Sequence, residues 1–303
     1  MVKEYNQPSI QNVKSANREI AVFSTTIENG NIDHAVVHSF GEEWKKFHKF
    51  SDKEIEIDAN MYFDVLDESM INKNTYGIDL GCGSGRWTKW MKDKVGFMES
   101  IDPSDAVFIA DNVIGEAANV RLAKASIDNI PFDDETFDFA MCIGVLHHIP
   151  DTQKAMIDCV KKVKIGGYFY TYIYYNLDNR GLLFKFIFSI ISAIRRVTSA
   201  LPMGLKKVVC ELIAIFIYMP VVLFGRFMKF LGLKKFANQM PLSHYQNQSF
   251  FVIRTDALDR FGTKLEHRFS KKEIEAMMMN AGLDHIKFGS HLPYWHAVGK
   301  RVK

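Results

Sequence analysis

From Tyr76 to Tyr175 short apolar runs alternate with amphipathic ones, and this alternation limits the fold more than any other feature. "YGIDL" stops at a glycine, and "SGRWTKWMKDKV" follows with Trp87, Trp90 and Met91 on one side of a helix. "FMESID" is a second strand, and "PSDAVFIADNV" opens on Pro and Ser, which suit helix starts. "NVRLAKAS" is a third strand and "FDFAMCIGV" a fourth, then "TQKAMIDCVKKV" is a helix and "GGYFYTYIYY" a fifth strand. The fourth strand is apolar on both faces, as a central parallel strand must be when helices cover both sides. Strand alternating with helix gives parallel pairing through right-handed crossovers. The pattern predicts a doubly wound, mostly parallel α/β sheet.

The pattern breaks from Leu177 to about Gln248 and then resumes. Ser270 with Glu273 caps a helix expected over Lys271 to Ala281, and Gly282 stops it. "LDHIKFGS" and "YWHAVGKRV" are expected as an antiparallel strand pair at the sheet edge. The first seventy residues read as helical. "EEWKKFHKF" and its flanks place Phe40, Trp44, Phe47 and Phe50 at helical spacing, as a helix packed on the core or as a lid over a pocket. The expected organisation is a helical cap over 1–72, a sheet core over 73–176 and a helical insertion over 177–250. Residues 251–303 would complete the sheet and the substrate pocket.

A chain of 303 residues can bury a full core. Its charge is uneven. From Arg180 to Lys235 ten basic residues face one acid, Glu211, while the remainder holds 28 basic and 34 acidic residues. Such a split implies two physical roles. Cys82, Cys142, Cys159 and Cys210 have no spacing suited to zinc or to a CxxC pair, so they read as free buried thiols in a reducing compartment, and no metal is expected. The start "MVKEYNQPSI" lacks an export pattern, so a cytoplasmic place is expected.

"GIDLGCGSGRW" is the most informative run. Ligands on an open parallel sheet bind beyond the strands' carboxyl ends, where Gly81, Gly83 and Gly85 would sit. A dinucleotide turn wants G-x-G-x-x-G around a pyrophosphate. Here Arg86 stands where the third glycine would fall, and Asp79 precedes the turn. A carboxylate there repels pyrophosphate and suits an ammonium group. Asp102 ends the next strand and can accept both ribose hydroxyls of an adenosine-type ligand, which leaves nicotinamide and sulfonium cofactors both open at that position.

The successive stretches "IDLGCGSGRW", "SIDPS", "SIDNIPFDDETFDFAMCIGVLHHIPD" and "KKVKIGGYFYTY" resemble the ordered motifs of class I S-adenosylmethionine-dependent methyltransferases. They are most similar to the branch that contains the ubiquinone and menaquinone biosynthesis enzymes. The resemblance covers about 75–175, with the tail from 270 to 303 matching the family's last helix and strand pair. It implies a Rossmann-like sheet of seven strands with an antiparallel last strand, and S-adenosylmethionine as cofactor. It also implies that Asp79 and the turn of Gly81, Cys82, Gly83 and Gly85 hold the methionine part. Asp102 takes the ribose, with Pro103 and Ser104 beside the adenine. "ASIDNIPF" corresponds to the family's "GDAEDLPF", so Ser126 replaces an adenine-binding acid and leaves Ser126 and Ile127 as the candidates there. Cys142, Ile143 and Gly144 would floor the site, and His147 and His148 would lie near the methyl group.

A sulfonium methyl is already activated, so a base is needed only for a poorly acidic acceptor. His147, His148 and His267 are the candidates. "CIGV" stands where nucleic-acid methyltransferases carry [DNS]-P-P-[YF], and the overall charge is near neutral, so a small molecule is expected and nucleic acid is not. In the family the segment before the last helix forms the acceptor pocket, which makes Tyr245, Arg254, Asp256, Arg260 and His267 candidate substrate contacts. The longest charge-free piece of the apolar runs between 182 and 235, Leu212 to Gly225, is too short to span a bilayer. Residues 180–235 instead suit a buried subdomain, a homodimer interface or peripheral contact with an anionic membrane, and the last agrees with a lipophilic acceptor. Two other readings stand beside methyl transfer. One is a non-catalytic S-adenosylmethionine-binding regulatory subunit, suggested by Ser126. The other is an NAD-dependent oxidoreductase, which the glycine spacing and Asp79 disfavour.

Overall fold

A computed structural model describes residues 2–25, 30–46, 50–176, 178, 181–263 and 265–303. Phe47, part of the expected aromatic stripe, lies outside them. The chain divides into two compact units, residues 1–179 with 265–303, and residues 180–264.

The first unit is built on one sheet. Its strands are β1 (Gln11–Lys14), β2 (Glu19–Val22), β3 (Tyr76–Leu80), β4 (Phe97–Asp102) and β5 (Val120–Lys124), then β6 (Phe137–Ile143), β7 (Val163–Tyr172), β8 (Leu283–Phe288) and β9 (Ala297–Arg301). They lie in the order β1-β2-β5-β4-β3-β6-β7-β9-β8. β5, β4, β3, β6 and β7 run parallel, while β9 is antiparallel to both β7 and β8. The doubly wound sheet with its antiparallel last strand is therefore present, but with nine strands rather than seven.

The two extra strands correct the expectation of an all-helical start. β1 and β2 form a short antiparallel hairpin, and β2 joins β5 in parallel at the sheet edge. Four-residue strands are too short for a period to stand out, and β1 is largely exposed. What fixes the hairpin is distant in sequence. Arg18 bonds Asp111 at 2.8 Å and the Val120 carbonyl at 2.9 Å, and the Asn17 N–H donates to Asp111 at 2.8 Å.

Helices of the first unit are α1 (His34–Lys46), α2 (Asp52–Tyr62), α3 (Arg86–Met91), α4 (Ala106–Ile114), α5 (Thr152–Lys161) and, later in the chain, α11 (Lys271–Asn280). Alternation along each strand sends side chains to two separate cores. On one face Ile78, Leu80 and Cys142 meet Met156 and Cys159 of α5 and Ile274 and Met278 of α11. On the other Met98, Phe139 and Met141 meet Ala59 of α2, Trp87 and Met91 of α3 and Ala110 of α4. The Ser270–Glu273 capping box opens α11. All four cysteines are buried, and none is in a disulfide among the described residues.

The second unit is helical. It holds α6 (Leu182–Ala200), α7 (Met203–Ile213), a π-helical turn over Ala214–Tyr218, α8 (Met219–Phe230), α9 (Lys234–Gln239) and α10 (Phe250–Gly262). It extends beyond residue 250, the boundary expected from sequence, because α10 packs against α6 and α7. Residues 251–262 therefore belong to this helical unit and do not complete the sheet.

Candidate active site

The glycine turn leaves the carboxyl end of β3, between those of β4 and β6. Gly81, Gly83 and Gly85 have φ of +81°, +53° and +77°, where a Cβ is strained. Space is short as well. A Cβ on Gly81 would lie 2.5 Å from the Val145 side chain, just past β6, and one on Gly85 would lie 2.8 Å from Ala110 of α4.

Asp79, on β3, is 1% exposed. The Thr88 hydroxyl of α3 donates to it at 2.7 Å and stands 2.8 Å from the Ser100 hydroxyl. Burial raises the Asp79 pKa from 3.8 to about 7, with the Thr88 bond opposing and Asp102 adding to the rise. A cation placed beside it would restore the ionised form. Asp102 accepts from the Gly83 N–H at 2.9 Å through one oxygen, and from the Ser104 N–H at 2.9 Å and hydroxyl at 2.6 Å through the other. Burial pushes its pKa up against those bonds. The first oxygen keeps a lone pair suited to a hydroxyl donor. Ser104 also accepts from the Ala106 N–H at 3.1 Å, which ties Asp102 to the start of α4. Pro103 lies between them.

Ser126 and Ile127 are both buried after β5, on a short 3-10 turn. The Ser126 hydroxyl donates to Asp128, whose other carboxylate oxygen is buried without a hydrogen-bond partner among the described residues. An acid therefore does sit on this turn, opposite the Glu of "GDAEDLPF" and two residues after the Asp that Ser126 replaces. Cys142 and Ile143 are buried at the end of β6, and Gly144 follows with φ +75°.

The three candidate histidines come together past β6. His147 and His148 lie on a 3-10 turn with ring centroids 4.1 Å apart, and the His267 N–H donates to the His147 carbonyl at 2.8 Å. His147 is fully buried and stacks on Tyr174 at 3.9 Å. His148 Nδ1 lies 2.7 Å from the Leu265 carbonyl. A carbonyl only accepts, so Nδ1 carries the proton and the lone pair of the neutral ring is at Nε2.

α1 lies across this end of the sheet. Phe40 meets the His148 ring at 4.9 Å, Gly41 passes so close to Ser104 that a Cβ would lie 3.2 Å from its Cβ, and the Trp44 indole nitrogen would lie 3.1 Å from a Cβ on Gly83. Phe40 and Trp44 stood out in the sequence, whereas Gly41, Thr88 and Val145 did not, because only tertiary contact gives them a role. Arg86 opens α3, with its guanidinium over the Trp87 ring at 4.4 Å and 3.9 Å from Asp58. Trp44→Ala is expected to raise the dissociation constant of a cofactor held on the glycine turn by roughly tenfold, since about 1–3 kcal/mol of aromatic cover is lost. Calorimetry reads the affinity, and circular dichroism checks that the fold is intact.

Another part of the same sheet end is held by Asp64, just past α2. Its two oxygens bond His291 Nε2 at 2.8 Å and His296 Nε2 at 2.5 Å, and the opposite ring nitrogens meet the Leu292 and Pro293 carbonyls. The loop joining β8 to β9 is thereby fastened beside β7.

Tyr245, Arg254, Asp256 and Arg260 are knit into the helical unit itself. Asp256 accepts from the Tyr218 hydroxyl at 3.0 Å and from Arg260 at 2.9 Å, Arg260 reaches the Tyr245 hydroxyl at 3.2 Å, and Arg254 pairs with Glu211 at 2.6 Å. His267 belongs to the sheet unit, so the five expected substrate contacts divide four to one between the two units.

The site thus offers a buried carboxylate that a cation would ionise, a backbone turn without side chains, and a second carboxylate with an acceptor to spare. These features suit an adenosine-bearing sulfonium amino acid. Residues 78–171 match the family model described as "Methyltransferase domain". The chain is similar to a demethylmenaquinone methyltransferase of Geobacillus sp. (strain WCH70), 29% identical over 34% of this chain and 47% of that protein. It is also similar to a ubiquinone biosynthesis O-methyltransferase of Pseudomonas fluorescens (strain Pf0-1), 26% identical over 57% of this chain and 75% of that protein. A third relative, a ubiquinone biosynthesis O-methyltransferase of Coxiella burnetii (strain Dugway 5J108-111), is 25% identical over 46% of this chain and 58% of its own length. The chain spans about half the length of the Geobacillus and Coxiella proteins. Human N-acetylserotonin methyltransferase, solved with S-adenosylmethionine, shares the fold at a TM-score of 0.51 and 12% identity, over 87% of this chain and 57% of that one. With its motifs in order on this sheet, the chain carries a methyltransferase domain over residues 78–171 and is similar to enzymes of the ubiquinone and menaquinone branch.

Proposed function

We propose that the protein moves a methyl group from S-adenosylmethionine to a small, lipophilic acceptor at an oxygen, carbon or nitrogen. The observation that carries this reading is the buried Asp79 beside the left-handed glycine turn, with Asp102 one strand away. The cofactor supplies a sulfonium-bound methyl group that needs no further activation. The protein's own residues bind, orient and exclude water. Asp79 and the turn hold the amino-acid end, Asp102 holds the ribose, and Phe40 and Trp44 of α1 cover the site.

His148 is the base in this reading. The Leu265 carbonyl keeps its proton on Nδ1, so Nε2 is the atom that takes a proton from a hydroxyl or carbon acid. His148→Gln is expected to lower kcat about 100-fold and to remove the acidic limb of the pH–rate profile. An unchanged profile would take His148 out of the chemistry. We place the protein in the cytoplasm, in peripheral contact with an anionic membrane through residues 180–235, where ten basic residues face one acid.

The test is incubation with methyl-labelled S-adenosylmethionine and a solvent extract of membranes. S-adenosylhomocysteine and a labelled, organic-soluble product are expected. Cofactor binding without turnover on any extract would support the non-catalytic binding subunit instead, and calorimetric binding of NAD in its place would support the oxidoreductase.

A further inference from the structure

We propose that the helical unit inserts one apolar face among the acyl chains of a bilayer, with the long helix of α7 and α8 lying in the membrane plane. This deepens the surface contact proposed above and rests on it. It is independent of the cofactor reading.

The observation is an inverted helix. Residues Gly204–Phe230 run as one helix of 27 residues, and only 33% of its most apolar 18-residue stretch is buried. Val208, Leu212, Phe216, Leu223, Phe227 and Phe230 recur at helical spacing on the exposed side, with Phe216 70% and Phe230 85% exposed. The buried side is mixed: Ile213, Ala214 and Val222 share it with Lys206, Cys210 and Tyr218, and Gly225 gives room to Gln246. Inside the unit Tyr218, Asp256 and Arg260 bond one another. α6 repeats the inversion, with Ile190, Ile191, Ile194 and Val197 all exposed.

A helix facing water puts its polar side out. A stripe of Phe, Leu and Val on the outer side, with polar groups turned inside, is the arrangement lipid requires. The uncharged part of the helix, Leu212–Gly225, is fourteen residues or about 21 Å, against roughly 30 Å of hydrocarbon. Glu211 and Lys207 precede it and Arg226 and Lys229 follow, while Lys206 is turned inward. A spanning helix would pull the Glu211–Arg254 pair into the core, whereas a helix in the plane leaves that pair and the flanking cations at the headgroups. Glu211, the single acid between residues 180 and 235, is paired with Arg254, so the basic flanks meet anionic headgroups without opposition.

Insertion and adsorption differ in their response to salt. Headgroup attraction is screened within a few ångströms at about 1 M salt, and apolar insertion is not. The full-length protein would be floated with neutral phosphatidylcholine vesicles and with vesicles that also contain phosphatidylglycerol, at low salt and at about 1 M. Flotation with both compositions is expected, with less than a twofold loss in high salt. The variant Phe216→Asp with Phe227→Asp is expected to float at least tenfold less. Cysteines introduced as Gly204→Cys and Leu231→Cys are expected to react with an impermeant reagent from the same side of the vesicle. Flotation confined to anionic vesicles or lost in salt would overturn insertion in favour of adsorption. Labelling from opposite sides would overturn the in-plane orientation. Failure to float, with dimers that the same double variant abolishes, would assign the face to a second copy of the chain. Calorimetry of the double variant with S-adenosylmethionine keeps the cofactor reading separate. If binding is intact while flotation is lost, the two units act independently, and if wild type floats but binds no cofactor, the enzymatic reading fails alone.

Discussion

Asp79→Asn is expected to abolish useful cofactor binding and to make the folded protein more stable. Both effects come from one buried carboxyl. Its pKa rises from 3.8 to about 7 on folding, chiefly through burial. The folded state therefore holds the proton more tightly than the unfolded one. Stability falls as pH rises from about 4 to about 7 and is flat above, with a full cost of roughly 4 kcal/mol. Asn removes the charge and keeps an acceptor for the Thr88 hydroxyl. Its amide needs partners of its own, so a net gain of about 1–3 kcal/mol at pH 8 and little change at pH 4 is expected. Urea denaturation at the two pH values measures it. An identical pH dependence in wild type and variant would show that Asp79 is not the strained group.

The same carboxylate is the intended partner of the cofactor's ammonium. Its loss should weaken S-adenosylmethionine binding by at least about 30-fold, the scale of a buried charge-assisted hydrogen bond. In the wild type, a proton must leave Asp79 before a cation can pair with it. Affinity should then fall on acidification below about pH 7, by up to tenfold per pH unit, and proton release should appear in calorimetry as a dependence of heat on buffer. A flat affinity from pH 5 to 8 would separate Asp79 from the cofactor.

Gly81→Ala should destabilise the sheet unit by about 2–5 kcal/mol. The left-handed backbone at φ +81° contributes about 1–2 kcal/mol of that, and overlap with Val145 at 2.5 Å contributes about 1–3 kcal/mol. The two parts can be separated. Gly81→Ala combined with Val145→Ala should recover the overlap and leave the backbone cost. Gly83→Ala has the same backbone cost, but its neighbour is the Trp44 side chain, whose indole nitrogen would lie 3.1 Å away, a milder overlap than at Gly81. Its main effect should be on cofactor affinity. Denaturation midpoints for the set decide the matter, and the absence of any recovery in the double variant would mean that Val145 does not close the turn.

Local chemistry made much of the sheet legible. The strand β6 announced itself by being apolar on both faces, α11 by its capping box, and the turn by three glycines after an acid. Each signal depends on neighbours within a few residues, where period and steric limits act directly. The hairpin of β1 and β2 gave no such signal. Its strands are four residues each, and it exists because Arg18 and Asn17 reach Asp111 and because β5 offers an edge. The resemblance makes α10 part of the expected acceptor pocket, and what the fold adds is that Arg254, Asp256 and Arg260 of this helix pair within the helical unit. Composition records which polar groups are present and not which of them find one another.

What the amino-acid order determined by itself is the sequence of strands and helices from Tyr76 to Tyr175, the place of the glycine turn, and the pair of acids at the ends of β3 and β4. Those follow from side-chain period and from the φ that only glycine adopts freely. Tertiary structure alone decided that α1 crosses the turn through Phe40, Gly41 and Trp44, and that the three histidines gather past β6. It also decided that Asp79 is buried deeply enough to hold its proton near neutral pH, and that the helical unit turns its apolar side outward. Burial and long-range contact set those properties, and they are properties of the assembled fold rather than of any stretch of chain.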